Sequence, residues 1–325
     1  MNRRRAIRIA ACMTTFFACH IAVAQPKSAY PSKPIRVLVG FAPGGGSDIL
    51  SRAVGQKLAE NWKQPVVTDN RPGAGGTIAL ELAANATPDG YTLLVISGSQ
   101  ITNASLVTKV RFDLRTAYSP ITQMTSQPYV LVSHPSVPAK SVKELIAHAK
   151  VNPGKLNYAS SGTGSSAHLG MELFNSLAGT RMVHVPYKGS GQAFIDLLGG
   201  QVELLLASAI SAGPHLKTGK LRALGVTSAK RAAGLPDLPT IAESGLRGFD
   251  VTGWYGLVAP AGTPAAILRS LNAEVGRILR SPDFEAKLAA DGSEAVPSTP
   301  PEFKTTITQE IEKWTRLVHT TGIKL

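Results

Sequence analysis

Short apolar runs of strand length alternate with amphipathic stretches of helix length, and this alternation restricts the fold more than any other feature of the chain. Ile35–Val39 is followed by a helical stripe from Ser47 to Asn61, Pro65–Thr68 by Thr77–Asn85, and then Thr92–Ile96. A helix between two strands carries the chain back along the sheet, so successive strands run the same way, as in parallel βαβ units. In the first helical stretch Ile49, Leu50, Ala53, Val54 and Leu58 share one stripe, while Asp48 and Arg52 stand four apart as a surface pair.

A second block repeats the pattern: strand Tyr129–Val132, helix Ser141–Lys150, strand Leu156–Ser160, helix Ser166–Leu177, strand Met182–Pro186, helix Ala193–Leu198 and strand Val202–Ala207. After Leu221–Val226 it loosens. A strand at Gly253–Ala259 then precedes three helices, Pro264–Arg280, Asp283–Asp291 and Pro300–Thr321, that have no strands of their own. Such helices must pack on an existing sheet, so the C-terminal segment is expected to return to the first domain and the connection to be double. The expected organisation is α/β and two-lobed with two hinge crossings, one lobe built from 25–122 and 227–325 and the other from 123–226. Ligands of parallel sheets bind beyond the carboxyl ends of the strands, which places strand-to-helix turns of both lobes face to face.

The N-terminus is set aside as an export signal. Arg3, Arg4, Arg5 and Arg8 are followed by a largely apolar Ile9–Ile21 and by the small-x-small pattern Ala22-Val23-Ala24, which predicts cleavage after Ala24 and a mature chain from Gln25. Both cysteines, Cys12 and Cys19, fall inside 1–24, so the mature chain is expected to hold neither disulfides nor thiolate metal sites. A lipobox at Cys19 is a weaker match, with Phe16-Phe17-Ala18 before it. The apolar run is too short for a membrane span. Losing four arginines lowers the formal charge from +13 to +9. The remaining Lys and Arg are scattered singly, with few aromatics between them and no nucleic-acid-binding motif, which argues for a small acidic ligand and against nucleic acid.

The chemistry lies in the turns. Phe41-Ala42-Pro43-Gly44-Gly45-Gly46-Ser47-Asp48 joins the first strand to the first helix. Glycines let the backbone turn without Cβ obstruction and point the first free helical N–H groups at an anion. The loop lacks the Gly-Lys-Ser/Thr end of a phosphate-binding loop and the spacing of a dinucleotide fold. Asn70-Arg71-Pro72-Gly73-Ala74-Gly75-Gly76 opens the second helix on the same edge. Ser160-Ser161-Gly162-Thr163-Gly164-Ser165 forms the facing jaw, with Ser161 and Thr163 as the stronger ligand candidates and Ser165 or Ser166 as an N-cap.

Ser97-Gly98-Ser99-Gln100, Tyr187-Lys188-Gly189-Ser190-Gly191 and Ser208-Ala209 add polar groups at the same edge. Lys188 reads equally as a source of positive charge and as a solvated loop lysine, and Arg71 as a brace for its loop rather than a ligand fork. Asp48 complements the helix dipole and reads as structural, unless the ligand carries an ammonium group. Catalysis finds little support. Gly164-Ser165-Ser166-Ala167-His168 lacks the second glycine of a nucleophile elbow, and His134, His148, His168, His184, His215 and His319 show no paired metal spacing. His168 reads as a helix-surface or supporting histidine.

In combination the motifs carry a resemblance. Tyr30-Pro31-x-Lys33-Pro34-Ile35-Arg36, Phe41-x-Pro43-Gly44-Gly45, Asn70 to Gly76, Pro88-Asp89-Gly90-Tyr91-Thr92-Leu93, Val185-Pro186-Tyr187-Lys188-Gly189 and Ala259-Pro260-x-Gly262-Thr263-Pro264 occur in the order found in the Bug family. These are the extracytoplasmic receptors of tripartite tricarboxylate transporters, and the chain closely resembles them from about Tyr30 to near its C-terminus.

The resemblance implies a periplasmic-binding-protein fold of the type II, Venus-flytrap kind. It implies a monomeric periplasmic carrier with no cofactor or metal and no reaction of its own, handing a small carboxylate to membrane permease subunits. Whether that acid is mono-, di- or tricarboxylic, aromatic or an amino acid stays open, as do a sensor role and an exported serine-dependent hydrolase or transferase. In the family, ligand carboxylates are held largely by backbone amides and loop hydroxyls. Carried onto this chain, and joined to the loop reading, these are Pro43, Gly44, Gly45, Gly46, Ser47, Ala74, Gly75, Gly76, Ser97, Ser99, Ser161, Gly162, Thr163, Gly164, Ser165, Lys188 and Ser208. Trp254 and Tyr255 match the family's aromatic strand; core packing or hinge support is the reading, with Trp254 at the cleft as the variant for an aromatic acid.

Overall fold

A computed structural model describes residues 30–321 apart from 109, 233, 290 and 291, so the export signal expected over 1–24 lies outside the described residues. In the first half β1 (Ile35–Val39) leads to α1 (Gly46–Trp62), β2 (Val66–Asn70) to α2 (Thr77–Ala84), and β3 (Thr92–Ser97) to α3 (Gly98–Asn103). β1 lies between β2 and β3 and is parallel to both. Its residues alternate between two packed faces. Val37 and Val39 meet Leu50, Val54 and Leu58 of α1, while Leu38 meets Leu80 of α2. A strand covered on both sides has no polar face to show, which is why it reads as an unbroken apolar run.

The second half is built alike from α4 (Val142–Val151), β5 (Asn157–Ser160), α5 (Ser166–Ala178), β6 (Val183–Pro186), α6 (Ser190–Leu198), β7 (Leu204–Ser208), α7 (Ala209–Lys217) and β8 (Arg222–Val226). β5 is parallel to β6 and to β7. The two halves share β4 (Tyr118–Ser133). From Tyr118 to Pro128 it pairs antiparallel with β9 (Thr252–Pro260), and from Tyr129 onward it pairs with β7 and β8. β9 also pairs antiparallel with β3. The expected parallel units are thus present in both halves, joined through antiparallel strands.

After β9 come α8 (Ala265–Leu279), α9 (Pro282–Ala289), the short β10 (Glu294–Ala295) and α10 (Pro300–Thr321). Leu271, Val275 and Ile278 of α8 pack in the core of β1 and β3, as expected of helices without strands. α10 does more. Phe303, Ile307 and Ile311 are buried against the first sheet, whereas Trp314 joins the core around Tyr158, Leu169 and Phe174 of the second half. Ile241, Leu246, Phe249 and Val251, between β8 and β9, are buried in that same second core.

Three elements depart from the sequence reading. β4 begins well before Tyr129, because Thr122, Thr125 and Gln127 interrupt the apolar signal yet are buried between neighbouring strands and helices. Ser97-Gly98-Ser99-Gln100 is not an open loop: Gly98–Asn103 is a buried helix, with the Ser97 hydroxyl accepting the Gln100 N–H at 3.3 Å. Its polar sequence offers no apolar stripe to read. α7 follows Ser208 directly and carries Pro214 inside it, which hid the helix from a pattern search.

Candidate functional site

The carboxyl ends of β1, β3, β5 and β7 converge, and the turns that leave them enclose a cavity of about 30 Å³ between the two halves. Phe41, Gly46, Ser47, Ser97 and Ser99 line it from the first half, and Ser161, Ala167, Ser190, Leu205, Leu206 and Ser208 from the second. Tyr129 of β4 and Tyr255 of β9 complete the wall. The halves are closed on one another. Ala42 N–H donates to the Lys188 carbonyl at 3.3 Å, Ser166 N–H donates to the Ser99 hydroxyl at 3.1 Å, and the Asn103 amide donates to the Thr163 carbonyl.

How each helix is capped decides what the cleft can do. Ser97 caps α3, and the Ser165 hydroxyl accepts the His168 N–H of α5 at 3.3 Å, so those termini are satisfied from within. α1 begins after Gly45, α6 after Gly189 and α7 after Ser208, and none of the three has a side-chain cap. Gly46 and Ser190, which begin α1 and α6, line the cavity, as does Ser208 just before α7. A Cβ on Gly45 would come within 2.8 Å of the Ser190 hydroxyl, and one on Gly46 within 2.7 Å of the Ser208 hydroxyl and 2.4 Å of the Tyr255 hydroxyl. Uncapped helix starts present N–H groups and the positive end of the dipole, an arrangement suited to receiving an anion.

The surrounding polar groups hold that seat in shape. Asp48 does not enter the cleft: its carboxylate accepts the Gly44 N–H at 3.0 Å, the Arg52 Nε at 3.0 Å and the Asn70 amide at 3.0 Å. Burial pushes its carboxyl up, but the Arg52, Gly44 and Asn70 hydrogen bonds outweigh burial and hold it below the usual carboxylate range. The same Asn70 amide reaches the Phe41 carbonyl at 3.0 Å. Arg71 pairs with Asp69 at 3.0 Å and braces the strand end, as its sequence context suggested.

On the facing jaw, burial keeps His168 below its ordinary range despite the nearby Glu172, so its neutral Nδ1 accepts the Gly164 N–H at 3.0 Å. His184 stacks on it at 3.9 Å, and burial together with His168 pushes its imidazole down to about 3. Burial raises the phenols of Tyr129 and Tyr255, which therefore stay protonated, and their hydroxyls are hydrogen-bonded to neighbouring serines, Tyr129 to Ser99 and Ser166 and Tyr255 to Ser208.

Of the residues expected to bind ligand, Gly46, Ser47, Ser97, Ser99, Ser161 and Ser208 line the cavity. Pro43, Gly44 and Gly45 form the turn beneath it, with Gly44 at φ 84°. Gly162, Thr163, Gly164 and Ser165 stand behind Ser161, with polar groups engaged by Ser160, Asn103, His168 and α5 itself. Ala74, Gly75 and Gly76 buttress α3: a Cβ on Gly75 would strike Asn103, and one on Gly76 would strike Gln100. Lys188 is exposed, and its backbone carbonyl is the atom turned to the first half.

Phe41, Tyr129, Ala167, Ser190, Leu205, Leu206 and Tyr255 line the cavity without having been singled out as ligand residues. Ser190 lay in a loop already noted, and Tyr255 beside Trp254; the others belong to strands and helices whose cleft-facing register no local signal marks. Trp254 itself packs edge-on against Phe303 at 5.5 Å. The Ser160 hydroxyl lies 2.6 Å from His184 Nε2, a pair the sequence did not show, but Ser160 is 0 % exposed and absent from the cavity wall. Among the described residues, no three His, Cys, Asp or Glu side chains gather in a way that could hold a metal ion.

Two α/β lobes sharing a strand and closed on a cleft between their strand ends define the periplasmic-binding-protein fold. The chain belongs to the tripartite tricarboxylate transporter receptor family, whose model matches residues 50–323. It is 37% identical to protein BugT of Bordetella pertussis over 313 residues, covering 95% of this chain and 96% of BugT. It superposes on the periplasmic binding protein BugD with a TM-score of 0.86 at 32% identity, covering 91% and 99% of the two chains. With the R. palustris protein Rpa4515 bound to adipate, the TM-score is 0.87 at 35% identity, covering 90% and 99%.

Proposed function

We propose that this protein is a periplasmic receptor that closes on a small carboxylate and delivers it to the membrane permease subunits of a tripartite transporter. The observation that carries this is the meeting of three uncapped helix starts, α1, α6 and α7, at one enclosed point lined by serine and tyrosine hydroxyls. An anion is the natural occupant of such a point. Membership of the receptor family and the adipate-bound neighbour support a carboxylate in particular. Ligand contacts are assigned to the Gly46 and Ser47 amides, Ser190, Ser208 and Ser161, with Tyr255 closing the wall.

Export with cleavage after Ala24 fits such a role, and among the described residues no helix is long and apolar enough to cross a membrane. The lobes are proposed to hinge where β4 leaves β9 at Pro128 and in the segment between β8 and β9, with α10 spanning both. The protein is proposed to act as a monomer and without a reaction of its own. Ser160 is fully buried and neither it nor His184 lines the cleft, so a serine-directed phosphonate should leave Ser160 unlabelled.

The decisive experiment unfolds and refolds the mature chain to strip ligand, then measures melting against a panel of organic acids. A ligand that binds the folded state alone stabilises it by mass action, by about 2.7 kcal/mol at a hundredfold excess over Kd. At least one carboxylate should raise Tm. Hydrolysis of an ester or amide with no carboxylate response would overturn the receptor assignment.

A further inference from the structure

Glu310 of α10 is an acid in the core, 8 % exposed, and among the described residues no ion pair reaches it. Its Oε1 accepts the Trp314 indole N–H at 2.7 Å. The carboxyl lies directly behind the cleft wall. A Cβ on Gly98 would fall 2.8 Å from Oε1 and 3.1 Å from Trp254 Nε1, and Gly98 stands between Ser97 and Ser99, which both line the cavity. Tyr129 lines the cavity as well, and its phenol is raised by burial and also by the charge of Glu310.

A carboxylate in such a place is poorly hydrated, and its charge is weakly screened. The groups that face it are Gly98 of α3, Trp254 of β9, the protonated Tyr129 of β4, and Trp314 and Lys313 of its own helix, the Lys313 ammonium standing 5.6 Å over the Trp314 ring. Burial pushes the Glu310 carboxyl above its usual range, against the opposing pull of the Lys313 charge and of the Trp314 and Trp254 indoles. An anion entering the cleft adds a second negative charge on the other side of Ser97 and Ser99. Like charges that near make Glu310 harder to ionise, and by linkage an ionised Glu310 makes the anion harder to bind.

We infer that Glu310 takes up a proton as the cleft takes up its anion, so that an acid which does not line the cleft sets how affinity varies with pH. This rests on the carboxylate function proposed above and deepens it. While Glu310 is neutral the anion binds at full strength. As pH rises and Glu310 ionises in the ligand-free protein, affinity falls, by at most about tenfold per pH unit for one proton.

Titration calorimetry on ligand-stripped mature protein, at fixed ionic strength between pH 6.5 and 9, tests the inference with acetate, benzoate, malate and adipate, acids that stay ionised over that range. Whichever binds most tightly to the wild type should bind at least fivefold more weakly at pH 9 than at pH 6.5, and heats compared in Hepes and Tris should show net proton uptake. Glu310→Gln keeps an acceptor for Trp314 but cannot ionise. Its affinity should change less than twofold over the range and exceed that of the wild type at pH 9, an outcome that lost packing would not give. A flat wild-type profile, a variant with the wild-type slope, or a variant weaker at every pH would overturn the role of Glu310 and leave the receptor function standing. If the variant fails to fold, the buffer comparison on the wild type decides, and absence of proton uptake overturns the inference. Binding of none of the four acids, with no melting response to the wider panel, would overturn the carboxylate function itself.

Discussion

At the scale of single residues, the polar groups nearest the cleft mostly serve the backbone that forms it. Asp48 holds Gly44, and His168 holds Gly164, so each jaw has one buried side chain fixing the turn on which its amides depend. The histidines make that arrangement sensitive to acid. His168 and His184 are neutral in the fold, held down chiefly by burial, and return to about 6.5 when unfolded. The unfolded chain therefore takes up protons first as pH falls. Their contribution to stability is complete above about pH 6.5 and declines below it, toward about 3 for His184.

Melting followed from pH 8 to pH 5 should show Tm dropping below about 6.5. A His168→Gln, His184→Gln double variant should show a shallower drop, since glutamine keeps an acceptor for Gly164 but does not titrate. Parallel curves for the two proteins would sink this account.

At the scale of elements, capping separates helices that support the site from helices that form it. Ser165 closes its own helix, whereas Ser208 precedes an uncapped one and bonds instead to Ser211 at 2.8 Å. Ser165→Ala should therefore lower stability by about 0.5–2 kcal/mol, the usual worth of a cap, with ligand affinity within about threefold of wild type once the protein is folded. Ser208→Ala should weaken binding of the responding acid about tenfold, the equivalent of about 1.4 kcal/mol. Denaturant unfolding and calorimetry on both variants decide the matter, and a reversed pattern would move the seat from α7 to α5.

α10 matters differently. Phe303 sits so close to Gly256 that a Cβ there would fall 2.0 Å from its ring, while Trp314 is buried in the opposite lobe and donates to Glu310 at 2.7 Å. One helix thus fastens to both lobes.

For the whole molecule, the proposed function requires the two lobes to part, because contacts that cross between them narrow the cleft. Gly45 is one of the close approaches near the seat. A valine there must push Ser190 away, so Gly45→Val should hold the lobes ajar, weaken binding at least tenfold, and leave the far-ultraviolet dichroism of the fold intact. Small-angle scattering should show the wild type contracting slightly when the responding acid is added and the variant failing to contract. An unchanged wild-type envelope, or a variant that binds normally, would argue against a clamp.

The chain carried its own architecture in local patterns. Alternating runs announced both lobes, the glycine turn after β1 announced an uncapped helix start, and Asp48 and Arg71 could be read as braces because charges beside a helix start and a Pro-Gly turn have few other uses. Those features depend on backbone freedom and on neighbours within a few residues. The cleft wall does not. Tyr129, Ser190, Leu206 and Tyr255 come together because one long strand passes from sheet to sheet and two helix starts from opposite lobes touch. Cap state was legible only in part: Ser165 could be read as an N-cap and is one, whereas nothing local showed that Ser208 would leave α7 uncapped. Local chemistry determined that the strand-to-helix turns could receive an anion, and long-range packing decided which of those turns and which hydroxyls meet at one cavity.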